Sequence, residues 1–98
     1  MNDITDIING TAPTLIEFYA TWCPHCHRMQ PIVEDLKILY DGKANIIQLD
    51  GEEHPELMKS LDLDAFPGWA LFKDGQVLWH DMGEKPASEL TDMINRFV

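Results

Sequence analysis

The chain has 98 residues, 45% of them hydrophobic and 24% charged, enough for one modest core and too few for a second domain. With 17 acidic residues against 7 basic ones the net charge is −10, which argues against nucleic acid or an anionic membrane as a partner. Met1-Asn2-Asp3 is followed by no long apolar run, so neither a signal peptide nor a membrane span is expected, and the simplest compartment is the cytoplasm.

Asn2 to Asn9 carries Ile4, Ile7 and Ile8 at helical spacing with Gly10 just beyond, which predicts a short first helix. Leu15 to Ala20 is nearly continuous apolar and aromatic, as in a central strand covered on both faces. Glu17 interrupts that run, and a buried carboxylate is costly unless it is neutralised or has a role. The plain alternative is a glutamate at a strand end whose long side chain reaches solvent. From Cys23 onward, Cys26, Met29, Val33, Leu36 and Tyr40 recur at three- and four-residue steps, a long amphipathic helix bent at Pro31 and ended by Asp41-Gly42. Ile46, Ile47 and Leu49 then form a second strand, which the helical crossover leaves parallel to the first. Ala44 to Asp50 is expected at an exposed sheet edge, where a second copy can pair to give a homodimer. Pro55 opens a short helix through Leu57, Met58 and Leu61, and Asp62 to Ala65 leads to Phe66-Pro67. Trp69 to Lys73 and Gln76 to Trp79 flank Asp74-Gly75, a dipeptide suited to a type I′ hairpin turn. Pro86 opens a last helix with Leu90, Met93, Ile94 and Phe97 on one face. The fold class that results is α/β, a small mixed sheet of about four strands with helices on both faces.

The chemistry is expected at Trp22-Cys23-Pro24-His25-Cys26, which holds both cysteines of the chain. Two cysteines without further ones read as a redox pair rather than a secreted disulfide framework. If a helix starts near Cys23, positions i and i+3 share a face and a reversible disulfide between the thiols is geometrically allowed. Pro24 falls at the first helical position, where its missing N–H costs nothing. Cys23 then sits at the helix mouth, where free N–H groups and the helix dipole favour the thiolate. Cys26, one turn deeper, is expected to be the more shielded, resolving thiol. Three other readings compete. A zinc site with His25 or His27 needs ligands that converge, whereas neighbours on one helix diverge; His54 and His80 have no ligand spacing. A structural disulfide across so short a loop restrains the unfolded chain little. Inert core thiols are the third.

The run Phe18-Tyr19-Ala20-Thr21-Trp22-Cys23-Pro24-His25-Cys26, with Pro31 beyond it, resembles thioredoxin. Phe66-Pro67 followed by Leu71-Phe72-Lys73-Asp74-Gly75 is similar to that family's cis-proline loop and hairpin, and Gly83 stands where thioredoxins have a glycine near the active site. The resemblance spans about Thr14 to Phe97 and implies that residues 1–98 form a single thioredoxin-like domain. Three features depart from it. Pro24-His25 replaces Gly-Pro and is the pair typical of Dsb-type oxidases; the family's buried lysine falls at Ile46; and the N-terminus is short, so the first thioredoxin strand is short or absent.

By this resemblance the chain is a thiol–disulfide oxidoreductase in which Cys23 attacks, Cys26 resolves and Glu17 accepts the Cys26 proton through water. Without a nearby cation, burial is expected to raise the Glu17 pKa. Pro67 is expected to be cis, an ordinary trans loop proline being the alternative. The Phe66 backbone would pair with a substrate strand, and Trp22, Phe66 and Trp69 would floor the cleft, although aromatics are more often core. Trp79 is assigned to packing, and His27 and Arg28 to the solvated face. The redox-active disulfide Cys23–Cys26 is the only cofactor implied, with no metal. The partners implied are protein disulfides as substrates and a thioredoxin-reductase-like or other dithiol donor. A thiol oxidase or isomerase running the other way, and a non-enzymatic zinc or iron–sulfur module, are the alternative functions.

Overall fold

The computed structural model describes residues 4–98, so the Asn2 and Asp3 portion of the expected first helix lies outside the described residues. The elements run α1 (Ile4–Ile8), β1 (Thr14–Tyr19), α2 (Pro24–Leu39), β2 (Asn45–Asp50), a 3₁₀ turn (Gly51–Glu53), α3 (Pro55–Ser60), β3 (Gly68–Lys73), β4 (Gln76–Met82) and α4 (Ala87–Asn95). The four strands form one mixed sheet in the order β2-β1-β3-β4. β1 runs parallel to β2 and antiparallel to β3, and β3 runs antiparallel to β4. The apolar run of the sequence is thus the strand with a neighbour on each side, and β2 is an edge. Asn45 secures the parallel register by donating from Nδ2 to the buried Thr14 Oγ1 at 3.1 Å.

Alternation along β1 divides the core. Leu15 faces α2 and α4 with Met29, Val33, Leu36, Leu90 and Ile94. Ile16 and Phe18 face the other way, with Met58, Leu61, Leu63 and the partly buried Ile4 and Ile8. Each sheet face is therefore covered by helices, as the continuous apolar character of β1 requires. Pro31 lies inside α2, and Pro86 is the N-cap of α4 rather than its first residue. Phe97 lies past the end of α4 yet still packs on the first cluster.

The hairpin turn has positive φ at both central residues, Asp74 at 53° and Gly75 at 78°, as a type I′ turn needs. β4 continues three residues past the expected end, to Met82, with a register irregularity opposite Leu71 and Phe72. That extension brings Gly83 beside Pro67: the Gly83 N–H donates to Pro67 O at 2.9 Å, and Trp69 Nε1 donates to Gly83 O at 2.8 Å.

Candidate active site

β1 ends at Tyr19, and the chain turns through Ala20 to Trp22 into α2. Cys23 is the N-cap, with an extended backbone at φ −89° and ψ 110°. Its Sγ accepts the Cys26 N–H at 3.2 Å, filling the place that a serine or aspartate oxygen usually takes at a helix start. Pro24 is at the first helical position, which contributes no N–H to the set of unpaired donors. The Cys23 sulfur thus receives a backbone donor at the positive end of a 16-residue helix. Both cysteines are free thiols.

Shielding does not separate them as expected. Cys23 is 2% exposed and Cys26 4%; they form one buried cluster with Ala20, against which Tyr19 and Phe66 pack. What distinguishes Cys26 is its hold on the proton. Burial pushes the Cys26 thiol up to about 12, and the Cys23 sulfur and the Glu17 carboxylate add to the rise. Cys26 is therefore a neutral thiol at neutral pH and needs a base before it can act as a nucleophile.

Glu17 is 2% exposed, which removes the alternative of a side chain reaching solvent. Its register partners are Gln48 on β2 and Trp69 on β3. Gln48 Nε2 donates to Glu17 Oε1 at 2.9 Å, while Oε2 has no hydrogen-bond partner among the described residues. Burial raises the Glu17 pKa, and the Gln48 hydrogen bond and the charge of Lys37 oppose that rise. A cation does act on this carboxylate, contrary to expectation. It comes from α2 instead of the Ile46 position: Lys37 Nζ donates to Gln48 Oε1 at 2.9 Å, so one amide links it to Glu17. Ile46 packs on the first core cluster.

The Phe66–Pro67 peptide is cis. Gly51 is held close to this loop, for a Cβ there would collide with the Phe66 ring and the Met58 sulfur. Trp22 is 62% exposed and meets Phe66 edge to face, with ring centroids 5.6 Å apart. Trp69 does not floor the site: it is wholly buried in the first core cluster. A cleft of about 500 Å³ opens at Cys26 between Tyr19, Ala20, Thr21, His27 and Gln30. Trp79 packs against the core, as expected.

His27 is exposed, with Nε2 3.0 Å from Thr21 O. Arg28 is exposed as well, but it is engaged in a cluster with His25 and Glu84. Glu84 Oε2 lies 2.6 Å from His25 Nδ1 and accepts from Arg28 Nε at 3.0 Å and Nη2 at 2.8 Å. Hydrogen bonds to Arg28 and His25 hold the Glu84 carboxyl well below the usual range, at about 2. Glu84, Gln48 and Lys37 were not among the expected site residues. The one signal for Glu84 was its place directly after Gly83.

The thioredoxin family model matches residues 3–96. The chain belongs to the thioredoxin family. It is accordingly a thiol–disulfide oxidoreductase, with Cys23 and Cys26 at the thioredoxin spacing. The thioredoxin of Staphylococcus saprophyticus is 37% identical over 82 residues, covering 84% of this chain and 79% of that protein. A thioredoxin of Staphylococcus aureus is 34% identical over the same shares. Among solved structures, a mutant thioredoxin from Halobacterium salinarum is 26% identical with a TM-score of 0.86, covering 99% of this chain and 84% of that one. The Malassezia sympodialis thioredoxin is 26% identical with a TM-score of 0.84, covering 95% and 81%. Among the described residues no helix is long and apolar enough to cross a membrane, and no group of three or more His, Cys, Asp or Glu is placed to hold a metal ion.

Proposed function

We propose that this thioredoxin-family chain reduces protein disulfides with the Cys23–Cys26 pair. The Cys23 thiolate attacks one sulfur of a partner disulfide, and the partner's other sulfur leaves as a thiolate. Glu17 takes the Cys26 proton, directly or through water, and the Cys26 thiolate then attacks Cys23 Sγ. The Cys23–Cys26 disulfide forms, the second partner thiolate leaves, and two electrons have passed to the partner. An external dithiol donor of the thioredoxin-reductase kind restores the reduced pair. The observation that carries this reading is the asymmetry of the two sulfurs: Cys23 accepts a helix N–H, while Cys26 is a thiol raised to about 12 beside a buried carboxylate.

Trp22, Phe66 and Pro67 form the substrate rim in this reading, with the Phe66 backbone pairing to an extended segment of the partner. No metal or other cofactor takes part, nucleic acid is not a partner, and the working compartment is the cytoplasm. The edge position of β2 supports a homodimer paired along residues 44–50, which sedimentation over a range of concentrations tests.

Alkylation of the reduced protein near neutral pH is expected to label Cys23 first, and Cys26→Ser to trap mixed disulfides with partner proteins. Labelling of Cys26 first reverses the two roles. Stoichiometric zinc or iron in protein purified under reducing conditions supports a binding module instead.

One observation favours the oxidising direction: Pro24 and His25 occupy the first helical turn, as in the Dsb-type pair. A polar ring near Cys23 adds to the helix terminus in favouring the thiolate, which stabilises the reduced form. The expected potential is therefore above that of an ordinary thioredoxin, with His25→Pro moving it toward the reducing end. Equilibration of both proteins with a glutathione buffer tests this; identical, strongly reducing values exclude His25 as a determinant.

A further inference from the structure

Thiol exchange at Cys23 and Cys26 does not by itself require the charge cluster at the rim. His25 and Arg28 are on successive turns of one face of α2, and Glu84 reaches them from the loop after β4, 59 and 56 positions away. All three contacts converge on one oxygen, Glu84 Oε2. His25 Nδ1 lies 2.6 Å from that oxygen and 2.7 Å from Arg28 Nη2. One ring nitrogen serves only one of them at a time: protonated it donates to Glu84, unprotonated it accepts from Arg28. In both arrangements Glu84 keeps Arg28 through Nε and Nη2.

The carboxylate is mounted on a fixed support. Glu84 follows Gly83, whose N–H is bonded to Pro67 O and whose carbonyl is bonded by the buried Trp69 indole. The cluster is thus built between the helix that starts at Cys23 and the backbone that lines Pro67. The cluster lies close to the sulfur, because His25 and Arg28 stand in the first two turns of the helix that Cys23 caps.

We infer that Glu84 is a positioning residue that holds down the reduction potential of the Cys23–Cys26 pair, by seating the Arg28 guanidinium and the His25 ring on a carboxylate and offsetting positive charge at the helix start. This rests on the exchange reading above and adds to it what sets the direction. Positive charge near Cys23 favours its thiolate, and a favoured thiolate stabilises the dithiol form. Pro24-His25 alone would push the pair toward the oxidising end; Glu84 opposes that push.

The test is the equilibrium between disulfide and two reduced glutathione molecules on one side, and dithiol and oxidised glutathione on the other, read as the reduced fraction at fixed pH. Glu84→Gln keeps the shape and the acceptor oxygen and removes the charge. It is expected to shift the constant about three- to tenfold toward the dithiol, tenfold being ~30 mV for a two-electron couple. Arg28→Gln removes the cation and is expected to shift the constant the opposite way. General loosening of the rim does not produce opposite signs from the two partners of one ion pair. An unmoved Glu84→Gln protein, or shifts of the same sign in both variants, overturns the inference. Failure of the wild type to exchange with glutathione at all overturns the exchange reading itself, and is distinguished by affecting all three proteins alike.

Discussion

Two carboxylates stand near the start of α2, one in the sheet and one at the rim, and their surroundings drive them in opposite directions. Glu17 lies within the sheet under α2, almost wholly buried, with one amide donor and a cation reached only through that amide. Burial dominates there, and its pKa rises. Glu84 lies at the rim, exposed, with a guanidinium and an imidazole in direct contact. Contact dominates there, and its pKa falls to about 2. The same functional group is thus made ready to take up a proton on the dry side and kept charged on the wet side. On the mechanism and the inference proposed above, proton handling and potential setting are separate tasks that fall to separate carboxylates.

The largest effect expected from breaking this division is kinetic. Glu17→Gln removes the base and should slow resolution of the mixed disulfide by about 100-fold, within the range for general bases, while leaving the first attack by Cys23 within about twofold. Stopped-flow tracking of both steps with a model disulfide decides it; equal slowing of both steps assigns Glu17 to structure. The same variant should be more stable. Since the folded chain holds the Glu17 proton more tightly than the unfolded chain, the wild type loses stability as pH rises through the unfolded and then the folded carboxyl range. Glu17→Gln should therefore gain about 1–3 kcal/mol near neutrality and nothing below about pH 4, where both states of the wild type are protonated. Denaturant titrations at acidic and neutral pH measure the difference.

Next in size is Gln48→Leu, which leaves Glu17 Oε1 without its donor and cuts the link to Lys37. A loss of about 1–3 kcal/mol near neutral pH is expected, together with a pH profile for resolution displaced to higher pH. A profile that stays in place would mean that the amide does not tune the carboxyl.

The smallest effect is that of salt. The rim cluster is exposed, so raising ionic strength beyond ~0.5 M should move the wild-type glutathione equilibrium by about twofold, and that of Glu84→Gln differently. Resolution rates governed by Glu17 should be nearly indifferent to salt. Equal salt dependence of the two quantities would erase the distinction between the carboxylates.

The dry side was more legible in the sequence than the wet side, for physical reasons. An acidic residue within Leu15 to Ala20 breaks a pattern that burial imposes, so Glu17 stands out. The hairpin was readable from Asp74-Gly75, because few residue pairs adopt two successive positive φ values at low cost. Glu84 is one of 17 acidic residues and meets His25 only after β4 has run three residues beyond its expected end, so no local pattern marks it. Lys37 occupies a helix position that reads as solvated, and its tie to Glu17 exists only through the parallel register that puts Gln48 beside Glu17. Trp69, named with Trp22 and Phe66 as a possible floor of the cleft, follows the commoner role of an aromatic: strand alternation turns its ring into the core beside Leu71.

Two of the three indoles differ enough in exposure to have a use of their own. Trp22 is 62% exposed next to Cys23, while Trp69 is enclosed and bonded to Gly83 O. Light emitted by the first is open to collisional quenchers and to the charge of the neighbouring sulfur; light emitted by the second is shielded until the sheet opens. Acrylamide quenching followed during reduction and again during denaturation should therefore separate events at the rim from loss of the fold, with no label attached to the chain.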